Sequence, residues 1–323
     1  MEIKDVFAEL DRVKKDVFLG KTINLDLGEH RTRQEGIGFS IHDISKWQEG
    51  EPIENIDWAL TLPSWPDQIY KIDRVELRQT PIIAVVDISP SIFVSVAEKD
   101  SKAGMTEDSS KLRLLAALIG IFGFTALYFR DPFGVLFVSD AVNLYLSPKL
   151  NRGRIIYAIN FLLEQDAGFE RQKRKENYIS GGASNLNAAF EYIALRIKRQ
   201  CSVVILSDFS DIIRGTSELN FNMINGLSVA SNWNVMAVFL DDPKELSWSA
   251  PLGTVEVKDA ESGVREEIKA GRASNIRARF IKRRLELQEQ LRQESRVDSV
   301  TLSYGNHFNE LAEFLSKRKT YRR

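Results

Sequence analysis

Five oxygen-bearing side chains stand where strand-ended turns could aim them at one point. PIIAVVDIS (81–89) is a continuous apolar run that ends in Asp87 and continues Ile88-Ser89-Pro90-Ser91. Alternate residues of that turn (Asp87, Ser89 and Ser91) carry one carboxylate and two hydroxyls toward the same small volume. A second apolar run, SVVILSDFS (202–210), ends in Asp208. Between them, Gly181-Gly182-Ala183-Ser184-Asn185-Leu186 reads as a glycine-rich helix start that offers the Ser184 hydroxyl. Two carboxylates and three hydroxyls form an all-oxygen set, which suits a hard dication. Mg²⁺ prefers octahedral oxygen coordination and usually keeps several waters, with Mn²⁺ and Ca²⁺ as alternatives. Nothing near His30 or His42 resembles a base–nucleophile pair, so no residue is assigned a catalytic role and none an organic cofactor.

The elements that must position this set follow from the hydrophobic pattern. An unbroken apolar run such as 81–87 suits a central parallel strand buried on both faces. Leu114–Phe129 carries no charge over 16 residues and is bounded by Arg113 and by Arg130-Asp131. A membrane-spanning helix wants about 20 apolar residues, so this run is read as a helix buried on nearly all sides. FGVLFVSD and VNLYLS flank Asp140-Ala141 as a hairpin. GRIIYAINFLLEQ and NLNAAFEYIALRIKRQ read as helices, with the basic run Arg171–Lys175 in a loop between them. WNVMAVFLDD is a third buried strand, and residues 252–269 alternate around Glu261-Ser262-Gly263 as a hairpin. A helix near 274–294, with Ile276, Phe280 and Leu287 on its core face, the strand DSVTLSYG and a last helix at 307–318 close the chain. Strands alternating with helices predict a doubly wound, mostly parallel six-stranded sheet flanked by helices, with the 252–269 hairpin inserted. By this pattern the α/β domain covers 81–323. Residues 1–80 form a lead-in, with an amphipathic helix over 1–18 and then glycine-punctuated, β-rich segments. Trp47 and Trp58 are expected to anchor that lead-in to the domain.

Composition narrows the function classes. The 323 residues carry 44 Lys+Arg against 45 Asp+Glu, a net charge of −1, which removes the electrostatic case for a dedicated nucleic-acid binder. One Cys excludes a disulfide framework and a Cys-rich zinc site, and suits a reducing compartment. The first 18 residues contain no apolar signal-peptide core, so the expectation is a cytoplasmic protein without a membrane span. The oligomeric state is not legible in the sequence.

At this point the residues carry a resemblance. The Asp87-x-Ser89-x-Ser91 turn, the Gly-Gly–hydroxyl–Asn-Leu helix start and the later Asp208 resemble the von Willebrand factor A fold and its metal-ion-dependent adhesion site. Ser184 stands where that family usually has Thr, which keeps the hydroxyl and loses a methyl. A second resemblance covers almost the whole chain. HRTRQEGIGFSIHDISKWQEGEPIENIDWALT is similar to the lead-in of bacterial proteins of the domain-of-unknown-function family fifty-eight. The matching pieces are Arg31 and Arg33, Gly36-Ile37-Gly38-Phe39, Gly50-Glu51 and Ile56-Asp57-Trp58; further on come DDPKELSW and KDAESGVREEI. The family usually continues Gly-Asp-Asp-Pro-Arg where this chain has Gly50-Glu51-Pro52-Ile53-Glu54, and Ile92 replaces a common Met.

The resemblance implies a non-catalytic adaptor. Its members are typically encoded beside MoxR-type AAA+ ATPases and are thought to act with them in protein maturation or assembly. A cation at Asp87, Ser89, Ser91, Ser184 and Asp208 would keep one position open for a carboxylate of the partner, the ATPase or its client. Two alternatives stand beside this. One is a metal-dependent phosphoesterase or phosphotransferase using Asp87, although Ser89 sits where such enzymes carry a second Asp. The other is a scaffold whose degenerate site holds no metal.

Overall fold

The computed structural model describes residues 35–51, 53–75, 80–94, 110–173, 184–198, 200–231, 233–243, 245, 254–258 and 265–321. The helix expected over 1–18, His30, Gly181–Ala183 and the hairpin tip at 261–263 lie outside them. The chain divides into two compact units, Glu29–Thr80, and Met1–Gly28 together with Pro81–Arg323.

In the smaller unit, β1 (Glu35–Lys46) pairs antiparallel with β2 (Tyr70–Val75). Gly50 turns the chain at φ +104°, a conformation that costs glycine least. Glu51 fixes this turn: its carboxylate accepts from the Gln48 N–H at 2.9 Å and from Lys71 Nζ at 2.5 Å. The turn at which the sequence departs from its resembled family is thus tied by its own acid to β2. The short helix α1 (Trp58–Thr61) is N-capped by Asp57, whose carboxylate accepts from the Ala59 and Leu60 N–H groups. Trp58 follows that cap directly and is 50% exposed, so it is not the core anchor the sequence led us to expect. Trp47 is half-buried, and its indole N–H donates to the Glu51 carbonyl.

In the larger unit, the central strands are β3 (Ile82–Asp87), β4 (Phe133–Val138), β5 (Val142–Lys149), β6 (Ser202–Ser207), β7 (Asn234–Asp241) and β10 (Asp298–Ser303). They form one six-stranded sheet in the order β10-β7-β6-β3-β4-β5, with every pairing parallel except β4 with β5. The α/β, mostly parallel architecture expected from the sequence is the one observed. All six residues of β3, β4 and β6 are buried, as strands covered on both faces must be. The period of two divides them cleanly. Ile82, Ala84 and Val86 enter one core, while Ile83 and Val85 enter the other.

Helix α2 (Pro90–Phe93) follows β3 at once, and α3 (Ser110–Tyr128) comes next. This second helix holds the uncharged run. Its length and composition would let it cross a membrane, but 78% of its apolar window is buried inside the domain. It packs on α4 (Arg152–Lys173) so closely that a Cβ at Gly123 would come within 2.9 Å of the Ile155 side chain. Helix α4 runs through Arg171–Lys173, where the sequence predicts a loop; Arg and Lys are good helix formers, so the charge run continues the helix. Helix α5 (Leu186–Arg196) stops short of the expected Gln200, because Ile197 turns extended at φ −106°, ψ 112°.

Two short helices, α6 (Ser210–Arg214) and α7 (Phe221–Asn225), lead to β7. The predicted hairpin is present as β8 (Thr254–Lys258) with β9 (Arg265–Lys269), antiparallel and separate from the main sheet. Helices α8 (Ala270–Ser295) and α9 (His307–Tyr321) end the described chain. Leu287 and Leu291 of α8 are buried and Phe280 packs partly buried against the same core, whereas Ile276 of the expected core face is 46% exposed.

Candidate metal centre

From β3 the chain moves to β4 and β5 on one side, and later to β6, β7 and β10 on the other. The order therefore reverses between β3 and β6. In open α/β sheets such a switch point opens a crevice beyond the carboxyl ends of the strands. Asp87 ends β3, and Asp208 follows β6.

The local sequence keeps the first turn's hydroxyls available. Ser89 is the N-cap of α2, yet its side chain makes no capping hydrogen bond. Pro90, with no N–H, occupies N1, where Pro is pre-organised for a helix. The Ser89 hydroxyl instead lies 3.0 Å from that of Ser91, and the Ser89 N–H donates to Asp87 Oδ1 at 2.9 Å. The Ser184 hydroxyl donates to Asp87 Oδ2 at 3.0 Å, and the Ser207 hydroxyl donates to the same oxygen at 2.6 Å. Ser184 is itself held from both sides: its N–H donates to Asp211 Oδ2 at 2.6 Å, and its carbonyl accepts from the Ser217 hydroxyl. Four of the five expected ligands (Asp87, Ser89, Ser91 and Ser184) thus form one linked cluster, with each residue between 1% and 7% exposed.

Asp208 sits differently. Among the described residues it makes no hydrogen bond to the other four. Its Oδ1 accepts the Ser210 N–H at 3.0 Å, and its Oδ2 receives Lys111 Nζ at 2.8 Å. The same ammonium lies 2.8 Å from Glu245 Oε2. The turn carrying Asp208 is strained. Phe209 adopts φ +53° while its ring stacks on Phe239 at 4.3 Å, a conformation that costs a non-glycine residue on the order of 1–3 kcal/mol.

The charges follow this geometry. Burial pushes the Asp87 carboxyl up to about 6, with the Asp208 charge adding to the rise. Hydrogen bonds from Ser207, the Ser89 N–H and Ser184 limit it. Burial pushes Asp208 up as well, but the Lys111 ammonium and the hydrogen bonds from Lys111 and Ser210 outweigh it and hold that carboxyl below its usual range. Burial opposes the charge on Lys111, yet Asp208 and Glu245 keep it an ammonium, well above the ordinary lysine range. Glu245 is held above the usual carboxylate range by burial, despite the ammonium beside it.

The donor chemistry fits a hard cation: hydroxyl and carboxylate oxygens are the ligands such an ion takes. Ser89 Oγ to Ser91 Oγ and Ser184 Oγ to Asp87 Oδ2 are both 3.0 Å, the length of the hydrogen bonds that link them. Among the described residues, no group of three or more His, Cys, Asp or Glu side chains is placed to hold a metal ion, so any such ion depends on serine hydroxyls. Sequence reasoning missed four residues here: Ser207, Asp211, Lys111 and Glu245. Ser207 was legible in principle, since its strand position pairs it beside Asp87. Lys111 shares the first turn of α3 with Arg113, and nothing in the sequence singles it out; Glu245 lies four residues past the end of β7, in DDPKELSW.

Fold and site together define an α/β protein with an oxygen-rich cluster at the switch point of its sheet. Residues 43–290 match the family described as Protein of unknown function DUF58, and the chain belongs to that family. No curated protein matches the sequence. Among solved structures, the conserved hypothetical protein BatB from Bacteroides thetaiotaomicron is similar at 11% identity and a TM-score of 0.39, over 75% of this chain and 99% of that one. An aerotolerance-related membrane protein from Bacteroides fragilis NCTC 9343 is similar at 12% identity and a TM-score of 0.37, over 74% of this chain and 99% of that one. Likeness at this level says nothing about activity.

Proposed function

We propose that this protein is a von Willebrand factor A-like adaptor, without catalytic activity of its own, that grips a carboxylate of a partner protein through Mg²⁺. Asp87, Ser89, Ser91 and Ser184 hold the ion, and Asp208 balances its charge. The partner is a MoxR-type AAA+ ATPase or the client of one, met in the cytoplasm during protein maturation or complex assembly. The observation that carries this reading is the buried cluster of three serine hydroxyls with the Asp87 carboxylate, at the ends of the strands where the order reverses. Mg²⁺ bound there would supply an electrophilic position, strongest where water is excluded, for an incoming carboxylate. The chain's own part is to fix the oxygens: Ser207 orients Asp87, and Asp211 orients Ser184. Asp87 itself is poorly suited to attack phosphorus, being 1% exposed with hydrogen bonds on both oxygens.

The test is capture of a MoxR-type AAA+ ATPase, or of its client, by the purified protein in Mg²⁺ or in EDTA, with Asp87→Ala and Ser89→Ala as controls. Capture that depends on Mg²⁺ and is lost in both variants supports the reading; capture indifferent to EDTA and to both variants removes the metal bridge. A second reading, the metal-free scaffold, is favoured by one observation: the Lys111 ammonium already compensates Asp208. Titration calorimetry that finds neither Mg²⁺ nor Mn²⁺ binding, with partner capture intact, would select it.

A further inference from the structure

The metal reading leaves Lys111 unexplained. A buried ammonium inside a proposed cation site is a competitor for the same negative charge. Lys111 lies in the first turn of α3, whose following residues are almost all buried, so its backbone cannot withdraw. Its side chain is 4% exposed, as is that of Asp208, while that of Glu245 is 30% exposed. The ammonium lies 2.8 Å from each carboxylate. Glu245 comes from the segment after β7 and is not part of the Asp87 cluster. One tethered cation is therefore shared between a carboxylate of the site and a carboxylate beside it.

We infer that Lys111 is a built-in counter-cation that competes with the divalent ion for Asp208 and moves onto Glu245 when that ion binds. The inference rests on the metal reading. In the metal-free protein the ammonium bridges both acids. In the loaded protein Asp208 faces the dication, and Lys111 keeps only Glu245. Two cations that share one buried carboxylate repel each other strongly enough to require such a shift. Lys111 thereby sets how tightly the site holds its ion, and Glu245 determines how readily the ammonium gives way. An ion that must displace a competitor binds weakly alone, and the partner's carboxylate then makes up the deficit. That is the behaviour expected of a contact that forms only when ion and partner are both present.

The experiment is calorimetric titration of Mn²⁺ and Mg²⁺ into the full chain as wild type, Lys111→Met, Glu245→Gln, the double variant and Asp87→Asn. Lys111→Met should tighten binding by about tenfold or more, since an opposing charge is removed from a low-dielectric site. Glu245→Gln should weaken it several-fold in the wild-type background and have little effect with Met at 111, because no ammonium then needs a second acceptor. Glu245 acting merely as a nearby negative charge would weaken binding equally in both backgrounds, and that result overturns the hand-off. Wild type that binds while Lys111→Met binds no more tightly also overturns the inference, leaving the metal reading intact. Binding seen only in Lys111→Met supports the competition and removes the metal reading for the native chain. No binding in any variant overturns both. Circular dichroism checks the fold; should Lys111→Met not fold, Lys111→Gln, which keeps a hydrogen-bond donor without the charge, takes its place with the same expectations.

Discussion

Asp87 and Asp208 occupy equivalent places, each at the carboxyl end of a fully buried central strand, and the fold treats them in opposite ways. Asp87 is met by neutral dipoles: two serine hydroxyls and a backbone N–H. Asp208 is met by a full charge, the Lys111 ammonium. Neutral partners cannot fully offset the cost of burying a carboxylate, so the first carboxyl titrates near 6. An ammonium outweighs that cost, so the second stays ionised below the usual range. Strand position thus locates a carboxylate without fixing its charge state. Among the described residues, the second acid is met by a cation and the first by neutral groups alone.

The harshest way to break this contrast is to remove the ammonium. Lys111→Ala leaves Asp208 and Glu245 in the interior without their cation, and breaking a buried pair typically costs about 3–5 kcal/mol. Urea denaturation in EDTA should show that loss, and adding Asp208→Asn to the same chain should recover part of it. A loss under about 1 kcal/mol would mean that the pair is far better hydrated than its burial implies.

The second break has the opposite sign. Asp87 has a folded-state pKa of about 6 against the ordinary 3.8, so the folded protein binds the proton more tightly than the unfolded chain. The stability this group contributes is therefore fully present below about pH 4 and lost as pH rises through about 6. Two pKa units correspond to about 3 kcal/mol at most. Asp87→Asn is neutral at every pH. In EDTA it should be more stable than wild type by about 1–3 kcal/mol at pH 7 and gain little at pH 4. Melting curves at the two pH values check this, and a variant less stable than wild type at pH 7 would show that the carboxylate's hydrogen bonds outweigh its burial.

How much of this was legible in the chain follows from how far apart the partners lie. The strand ending in Asp87 and its Ser-x-Ser turn are contiguous, and apolar runs bounded by turns mark the strands. Lys111 and Asp208 are 97 positions apart, and nothing local announces that they meet. Glu245 is harder still, since only the fold brings the loop after β7 to the first turn of α3. Charged residues also misled in the other direction: Arg171–Lys173 reads as loop because of its charge, although the helix runs through it and Arg and Lys are good helix formers. Trp58 looked like core because of its size, yet its place just after the Asp57 cap leaves it half exposed.

A milder perturbation sharpens the Asp87 side alone. The Ser207 hydroxyl donates to Asp87 Oδ2 at 2.6 Å and also accepts the Phe209 N–H at 2.9 Å. Ser207→Ala removes both, at about 1–3 kcal/mol for a buried charged acceptor and a strained turn. Because that donor stabilises the charged carboxylate, its loss should raise the Asp87 pKa further and move the pH-dependent fall in stability upward. Asp208 keeps its ammonium, so its own titration should stay in place. Carboxyl titrations followed by NMR separate the two, and equal shifts in both acids would contradict the division drawn between them.

The gentlest change is Ser184→Thr, which keeps the hydroxyl and adds the methyl that the resembled adhesion site usually carries. Ser184 is 7% exposed, its N–H is fixed by Asp211, and its hydroxyl reaches Asp87 at 3.0 Å. A β-branched side chain has fewer rotamers to lose, so the hydroxyl would be better held toward Asp87. The methyl must also find room in a packed region, where an extra carbon often costs 1 kcal/mol or more. The two effects oppose each other, and we expect a net change in stability within about 1 kcal/mol. A loss of several kcal/mol would instead mean that the cluster has no space for the methyl. The serine would then be the residue this particular packing requires, and the departure from the resembled pattern would be set by the neighbouring side chains rather than by the ion.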